Sequence, residues 1–489
     1  MKILLAGYNL DYDLIKELKD KSNTAQDLTP ETISAAYARI SRSPKPVDEL
    51  RALARSEVEK ARKSNRNIVF DMGHSSVAEH AVFNIDVIGA SRLLIEEIEK
   101  FRLCSYTEKS QRYVLFNKDF VVPEEIKKAG LSELFAAAIG RQNDYYRELY
   151  AKLRPYVFAE NKALAANPAN NSLLEGWAKE DARYTIALAT ETQLGMTINA
   201  RNLELMLRRL AGMPLAEARE YSGKLYAATK DIAPSLIRYT EATEYDRLTR
   251  VGLQRHAAVL AGKYPQEDGI KKNPAVQLSF ATPEADNKAA AALLFASSGL
   301  AYGQCLVLAA GLASSEKKAL FKTAFEHGKA HDAALRELEN VDLQFELILS
   351  ASCFAQLKRH RMATIVSQDY DPGLGVTIPP AICAIGQEKQ FREIMRRTQD
   401  AYEQIRKKAP LAAPYVLTNA HRKRVLMKFN ARELYHLARL RADGHAQWDI
   451  RRLSEEMLKK AKIVMPLTLL LACGKDSFAV HYKKNFPHN

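Results

Sequence analysis

Cysteine is scarce in this 489-residue chain, and the five present (Cys104, Cys305, Cys353, Cys383, Cys473) are scattered and odd in number. They form neither a disulfide framework nor a zinc-ligand spacing, so a reducing cytoplasm and no metal centre are expected. Long apolar runs are missing too: none approaches the roughly 20 residues of a membrane helix. Met1-Lys2-Ile3-Leu4-Leu5-Ala6 is apolar but short, and Asp11 and Asp13 follow soon after. That pattern suits a first strand or turn better than a secretory signal. There is no basic tail and no RNA-binding signature, and the arginines lie inside apolar-periodic segments. The net charge of +14 therefore points to small anionic partners such as nucleotides, pterin polyglutamates or phosphate-bearing cofactors, more than to nucleic acid.

What is present is an ordinary globular composition, 47% hydrophobic and 27% charged. The length calls for two or three domains. Much of it reads as helix. Thr29-Pro30-Glu31-Thr32 offers a capped start leading through Ile40, and Pro46-Val47-Asp48-Glu49 opens an amphipathic segment to about Lys63. Ala81 to Val87 alternates like a strand, and Phe345 to Leu349 occupies the same place later in the chain. A short helix bearing arginines is expected after each.

Those two places belong to an internal repeat. Asn199-Ala200-Arg201-Asn202-Leu203 recurs as Asn430-Ala431-Arg432-Glu433-Leu434, an offset of 430 − 199 = 231. Amphipathic helices are expected to follow, over Arg208–Tyr221 and Arg439–Leu453. Lys100-Phe101-Arg102 and Arg359-His360-Arg361 align at 361 − 102 = 259, so the second copy is shorter between its motifs. The surplus in the first copy falls on the helical stretch Ser132–Glu180. Glu337 and Glu339 echo Glu79 only if a gap is allowed.

Each half keeps a piece that the other has lost. The first half reads Ser105-Tyr106-Thr107-Glu108-Lys109-Ser110-Gln111-Arg112-Tyr113 after the degraded Lys100-Phe101-Arg102. The second keeps Arg359-His360-Arg361, and its matching tail is Ser367-Gln368-Asp369-Tyr370-Asp371. The wider succession includes Gly73-His74-Ser75-Ser76-Val77-Ala78-Glu79-His80, Ser91-Arg92, Ala182-Arg183-Tyr184, Glu191-Thr192 and Asn199-Ala200-Arg201. With Asn430-Ala431-Arg432 and Leu440-Arg441-Ala442-Asp443, it resembles the flavin-dependent (alternative) thymidylate synthases over roughly 30–230 and 285–465. The resemblance implies an α+β fold of helices around a small antiparallel sheet, present here as two fused copies. Residues 1–240 would be the first copy, 241–275 a linker, and 276–489 the second copy.

The resemblance also implies FAD as cofactor, with NADPH and methylenetetrahydrofolate as co-substrates, dUMP as substrate and dTMP as product. The family's enzymes are homotetramers whose sites collect residues from neighbouring subunits. Two fused copies would then give a homodimer that mimics the tetramer. One wall of each site would carry Glu108, Ser110, Gln111, Arg112 and Arg183 toward the nucleotide. The second copy has Ser367, Asp369, Tyr370, Asp371 and Pro414 at those places, and its aspartates would repel a phosphate. The other wall would carry Gln356, Arg359 and the catalytic Arg441. In the first copy these become Glu97, Lys100 and Leu210, with Arg209 about 100° off register on its helix. Flavin contacts would fall to His74, Ser76, Glu108, Arg359, His360, Arg361, Asn430, Arg432 and His436.

Arginine suits both walls because its fork binds phosphate bidentately and keeps its charge. Arg441 beside the pyrimidine would favour an anionic base and a nucleophilic C5. No cysteine nucleophile is implied. Plainer readings stand beside these. Arg359-His360-Arg361 alone could be a solvated helix end, and His74 with Glu79 a structural pair. Asn199 and Arg201, kept in the copy that lacks the arginine wall, read as structural or as a vestigial flavin site. Two other functions remain open: a different C5 modification or nucleotide, and a non-catalytic flavin- or nucleotide-binding homologue, with or without RNA association.

Overall fold

The computed structural model describes the chain except for residues 12, 17–27, 41–42, 113, 116–118, 264–273 and 488–489. Tyr113 and residues 264–273 of the expected linker thus lie outside the described residues. The chain divides into two compact units. The first is Met1–Gln266 with Ile385–Leu417, and the second is Glu267–Ala384 with Thr418–Asn489.

The first unit is organised by an antiparallel sheet of β1 (Lys2–Tyr8), β2 (Val82–Ser91), β3 (Ser105–Glu108) and β4 (Glu191–Asn199), in the order β1-β2-β4-β3. Along β2, Phe83, Ile85 and Val87 are buried while Asn84 and Asp86 are exposed, the period-2 alternation of a half-buried strand. Their β4 partners Ile198, Met196 and Leu194 are buried on the same face. The second unit repeats the arrangement with β5 (Val276–Ala281), β6 (Asp342–Ser350), β7 (Thr364–Ser367) and β8 (Arg422–Asn430), in the order β5-β6-β8-β7. Leu343, Phe345 and Leu347 face Phe429, Met427 and Val425. Phe345 is fully buried and stacks on Phe429 at 5.8 Å, so truncation to Ala should cost about 3–5 kcal/mol.

The two sheets match residue for residue until one point. Ile88 pairs with Gln193 as Ile348 pairs with Arg424, an offset of 348 − 88 = 260. Ser91 and Ser350 then align at 350 − 91 = 259. The extra residue is Gly89, in a bulge of β2 with φ +75°, a conformation that glycine adopts without steric cost. Before the bulge the offset of 260 makes Glu339 the counterpart of Glu79. Glu79 pairs with Arg201, and Glu339 pairs with Arg432 at 2.8 Å. The gap in the sequence register is therefore a single bulged glycine.

Each central strand hands over to a helix through a capped turn. Ser91 Oγ accepts from Leu94 N and Ser350 Oγ from Cys353 N. Asn199 and Asn430 do the same for the helices Ala200–Ala211 and Ala431–Arg441. The two expected amphipathic helices are broken. Arg208–Tyr221 is divided at Gly212-Met213-Pro214, where Gly212 ends one helix and Pro214 lacks an amide proton, and a new helix starts at Ala216. Arg439–Leu453 is divided by the turn from Ala442 to Gln447. There Asp443 accepts from His445 N, and Gln447 caps the helix Trp448–Val464. The segment from Pro46 is likewise two helices, Val47–Ser56 and Val58–Arg66, split at Glu57.

Within 241–275, residues Glu244–Ala261 form an 18-residue helix with a Thr243/Asp246 capping box and no buried residue. The helix Glu388–Lys408, from the second repeat, belongs to the first unit. There it joins the surplus helix Ser132–Glu160: Gln142 Nε2 donates to Thr398 Oγ1 and to the Val416 carbonyl, both at 2.9 Å. Phe135, Ile139, Ile405, Tyr415 and Val416 close an apolar cluster around that pair. Among the described residues no helix is long and apolar enough to cross a membrane.

Candidate functional site

In the first unit, the end of β3 and the turn after it carry the Glu-x-Ser-x-Arg sequence. Arg92, in the first turn after β2, donates from Nη1 to Glu108 Oε1 at 2.7 Å, and both side chains are over nine-tenths buried. Ser110 Oγ accepts from the Arg112 backbone amide at 3.2 Å. Arg112 Nη1 reaches Glu180 at 3.0 Å, near the end of the helix Asn171–Ala182. Arg183 follows directly on a 3-10 turn and is buried. Burial pushes its guanidinium below the ordinary value; Glu180 and Tyr184 hold it up, while Arg92 and Arg112 press it down. Arg92, Arg112 and Arg183 are therefore electrostatic neighbours with Glu108 and Glu180 among them. Among these five side chains three guanidinium groups stand against two carboxylates, 3 − 2 = +1; Arg92, Glu108 and Arg183 are buried, while Arg112 is partly exposed and open to an anion. Gln111 is buried beside it.

In the second unit, Gln356, His360 and Arg441 come together with Glu433. His360 Nδ1 lies 3.0 Å from Glu433 Oε1, and Arg441 Nε donates to His360 Nε2 at 3.2 Å. Because Nε2 accepts, the ring proton sits on Nδ1 and is donated to Glu433. Arg441 Nη2 also donates to the Gln356 carbonyl at 3.2 Å, and Gln356 Nε2 to Gln447 Oε1 at 3.3 Å. Burial, with Arg441 and His436 nearby, holds His360 below its ordinary pKa, opposed by Glu433. At neutral pH the ring is uncharged and works as a hydrogen-bond relay that fixes the Arg441 fork. His436 stands at 5.6 Å from the His360 ring and is exposed. Donor atoms of His360, Glu433 and His436 fall within 4.8 Å of one another, a spacing that could hold a cation. Glu433 and the Arg441 guanidinium already face the two nitrogens of His360, which disfavours that use.

The remaining flavin candidates are spread over both units. Arg359 is half-buried, and Arg361, like His74 and Ser76, is exposed. Asn430 spends its side-chain oxygen on the helix cap. Arg432 donates to the Ala334 carbonyl at 2.7 Å and pairs with Glu339. The counterparts of His74 and Ser76 in the second copy, at offset 260, are Ala334 and Arg336. Sequence reasoning gave no role to Arg92, Glu180 or Glu433. Each carried a signal: Arg92 stands where the second copy has Ala351, Glu180 lies one helical turn before Arg183, and Glu433 lies one turn before His436.

One further pair recurs in both units. Glu217 is buried and accepts from Ser91 N and Oγ at 2.7 and 2.6 Å and from Tyr415 Oη at 2.7 Å. In the second unit Ser350 Oγ donates to Asp449 at 2.7 Å. Burial raises the Glu217 pKa against the pull of those hydrogen bonds. The pair anchors the helix that starts at each central strand's end.

The sequence model described as thymidylate synthase complementing protein matches residues 24–235 and again 277–467. A UPF0159 protein of Chlamydia muridarum is 24% identical over 418 residues, 82% of this chain and 79% of that protein. The flavin-dependent thymidylate synthase of Clostridium tetani is 29% identical over 215 residues, only 43% of this chain but 82% of its own length. A crystal structure of the Helicobacter pylori flavin-dependent thymidylate synthase, complexed with FAD and dUMP, covers 49% of this chain and all of its own. Its TM-score is 0.32 and its identity 18%. With both repeats matched by one family model and a common sheet order in both units, the chain belongs to the thymidylate synthase complementing protein family, as an enzyme of thymidylate-synthase-like type made of two diverged copies in tandem.

Proposed function

We propose that the protein methylates dUMP to dTMP with FAD as cofactor and methylenetetrahydrofolate and NADPH as co-substrates. In this reading the first copy supplies the nucleotide-phosphate groups and the second the base-activating groups of one composite site. The observation that carries it is the division of chemistry between the copies. Arg92, Glu108, Arg112 and Arg183 cluster in one unit, and Gln356, His360 and Arg441 in the other. Neither set has a counterpart in the opposite copy.

Of the residues assigned to FAD, His436, Arg361, His74 and Ser76 are exposed donors and Arg359 is half-exposed, which suits an anionic dinucleotide. Glu108, His360 and Arg432 are already engaged, with Arg92, with Glu433 and Arg441, and with Glu339 respectively. Bound FAD would supply the redox chemistry that brings the one-carbon unit to a methyl group. The chain's own work would be binding and charge control. Arg112, Arg183 and Ser110 would grip the phosphate through charge-assisted hydrogen bonds. Arg441, held by neutral His360, would stabilise an anionic pyrimidine ring and raise the nucleophilicity of C5. Glu433 would keep the His360 proton on Nδ1, so that Nε2 remains an acceptor for Arg441. Two chains would assemble as a homodimer.

A second reading has one observation in its favour. Glu180 already faces Arg112, and a carboxylate in that place competes with a phosphate dianion. A different pyrimidine nucleotide, or a different C5 modification, would fit such a weakened grip. The test is direct: purified protein is given FAD, dUMP, methylenetetrahydrofolate and NADPH, and dTMP is assayed by chromatography. Formation of dTMP with a flavin spectrum supports the first reading. A flavin-loaded protein that makes no dTMP shifts the assignment to the second.

A further inference from the structure

The second unit has a cavity of about 240 Å³, open to solvent, that none of the candidate site residues lines. Three segments wall it. They are the end of the helix Ser314–Phe325 with the loop to Leu335, the helix Ala431–Arg441, and the C-terminal stretch Leu471–Phe478. From the middle helix come Tyr435 and Arg439, which lie on the side away from Glu433 and Arg441, since two residues turn a helix by about 200°. The C-terminal stretch lies beyond residue 467, where the family match ends.

That stretch is firmly held. Asp286 accepts from Leu467 N, Thr468 N and Thr468 Oγ1. Tyr482 stacks between Phe478 and Phe486 and donates to the Glu326 carbonyl. A Cβ at Gly474 would collide with the Ala442 carbonyl, so only glycine fits where the segment crosses the middle helix. The lining is mixed in a defined way. Phe325, Leu335, Tyr435, Leu471 and Phe478 give apolar surface, and Lys329, Arg439 and Lys475 give positive charge. The one carboxylate in the lining, Asp332, already accepts from Lys329 N at 2.9 Å and stands 3.7 Å from His331.

We propose that this cavity is a binding site for a small organic anion with one flat apolar ring and a phosphate or carboxylate group. Apolar surface rimmed by cations, of which Arg439 also donates to the Asp332 carbonyl, selects that chemistry. The volume falls below the roughly 300–1,000 Å³ of sites for drug-sized ligands, which favours a ligand with a single ring.

The test titrates the intact protein calorimetrically with phenyl phosphate, benzoate and neutral benzyl alcohol. Expected is saturable binding of at least one of the two anions, one per chain and at least tenfold tighter than benzyl alcohol. The stronger anion identifies the preferred head group. The exposed-lysine double variant Lys329→Ala/Lys475→Ala and the cavity-filling Ala333→Trp should each weaken that binding at least tenfold. The double variant removes only exposed side chains and should keep the wild-type melting temperature. Absence of saturable binding by both anions, parity with benzyl alcohol, or unchanged affinity in the double variant would overturn the proposal. Because the group around Arg112 and Arg183 also attracts phosphate esters, binding is assigned to this cavity only where Lys329→Ala/Lys475→Ala weakens it, and that loss is independent of dTMP formation.

Discussion

Arg112 and Asp371 occupy equivalent positions in the two copies, and their surroundings have diverged as far as their charges. Arg112 sits in the arginine-rich group with Glu180 and Arg183, whereas Asp371 caps a local turn by accepting from Gly373 N at 2.8 Å. If the copies divide one site between them, Arg112→Ala and Arg359→Ala should each weaken dUMP binding at least 100-fold, about 3 kcal/mol. Asp371→Ala and Lys100→Ala should leave turnover within about twofold of wild type. Equilibrium dialysis with labelled dUMP measures the first pair and steady-state kinetics the second. A loss in Asp371→Ala equal to that in Arg112→Ala would sink the division of roles.

His360 and His421 make the second unit acid-sensitive. Burial depresses both, His421 to about 4 from its ordinary 6.5, with Thr418 N donating to its Nδ1. In acid the unfolded chain therefore binds protons that the folded unit refuses. The stability these groups contribute is complete above pH 6.5 and declines as pH falls toward the folded-state values. For His421 the full effect is on the order of 3 kcal/mol. Urea midpoints should fall between pH 7.5 and pH 4.5, and His421→Asn should flatten that slope. Protonating His360 would also remove the acceptor that holds Arg441. Turnover should therefore fall on the acid side in a way that His360→Gln changes. The arginines themselves were legible because Arg359-His360-Arg361 and the Glu-x-Ser-x-Arg loop are contiguous in sequence. Glu433 and Arg92 were not, because their meaning comes from a partner 73 or 16 residues away that only folding brings near.

At the scale of elements, the central strands β2 and β6 follow from period-2 alternation, and the repeat could be read wherever offsets stay constant. The gap between Glu79 and Ser91 was opaque because a bulge changes register without leaving a distinctive sequence; a glycine in a strand is only a hint. Gly89→Ala should destabilise the first unit by about 1–2 kcal/mol, the cost of a side chain in left-handed backbone. Gly195→Ala, in neighbouring β4 with nothing within 4 Å of a new Cβ and no positive φ, should be near neutral. Urea denaturation of both variants compares the two; equal losses would mean that the bulge carries no conformational demand. The caps give a second contrast. Asn199→Ala and Asn430→Ala should each cost about 1 kcal/mol through the lost helix cap. If Asn430 also meets flavin, only Asn430→Ala should lose FAD affinity beyond that amount.

For the whole molecule, tandem duplication raises the question of how many flavins one chain holds. Two intact copies would carry two equivalent sets of contacts, but neither copy has a full set. The first keeps His74 and Ser76 and has Lys100 and Leu205 where the second has Arg359 and His436. The second keeps those but has Ala334 and Arg336 in place of His74 and Ser76. The Arg201–Glu79 and Arg432–Glu339 pairs survive in both, which fits a shared structural task more than a flavin contact. The residues assigned to FAD thus add up to one set per chain. Titration with FAD, followed by flavin absorbance against protein concentration, should saturate at one per chain. His436→Ala and Ser76→Ala should lower the same saturation curve, since both would belong to the one set. Two per chain, or a Ser76→Ala protein that loses one of two classes of site, would show that each copy binds flavin alone.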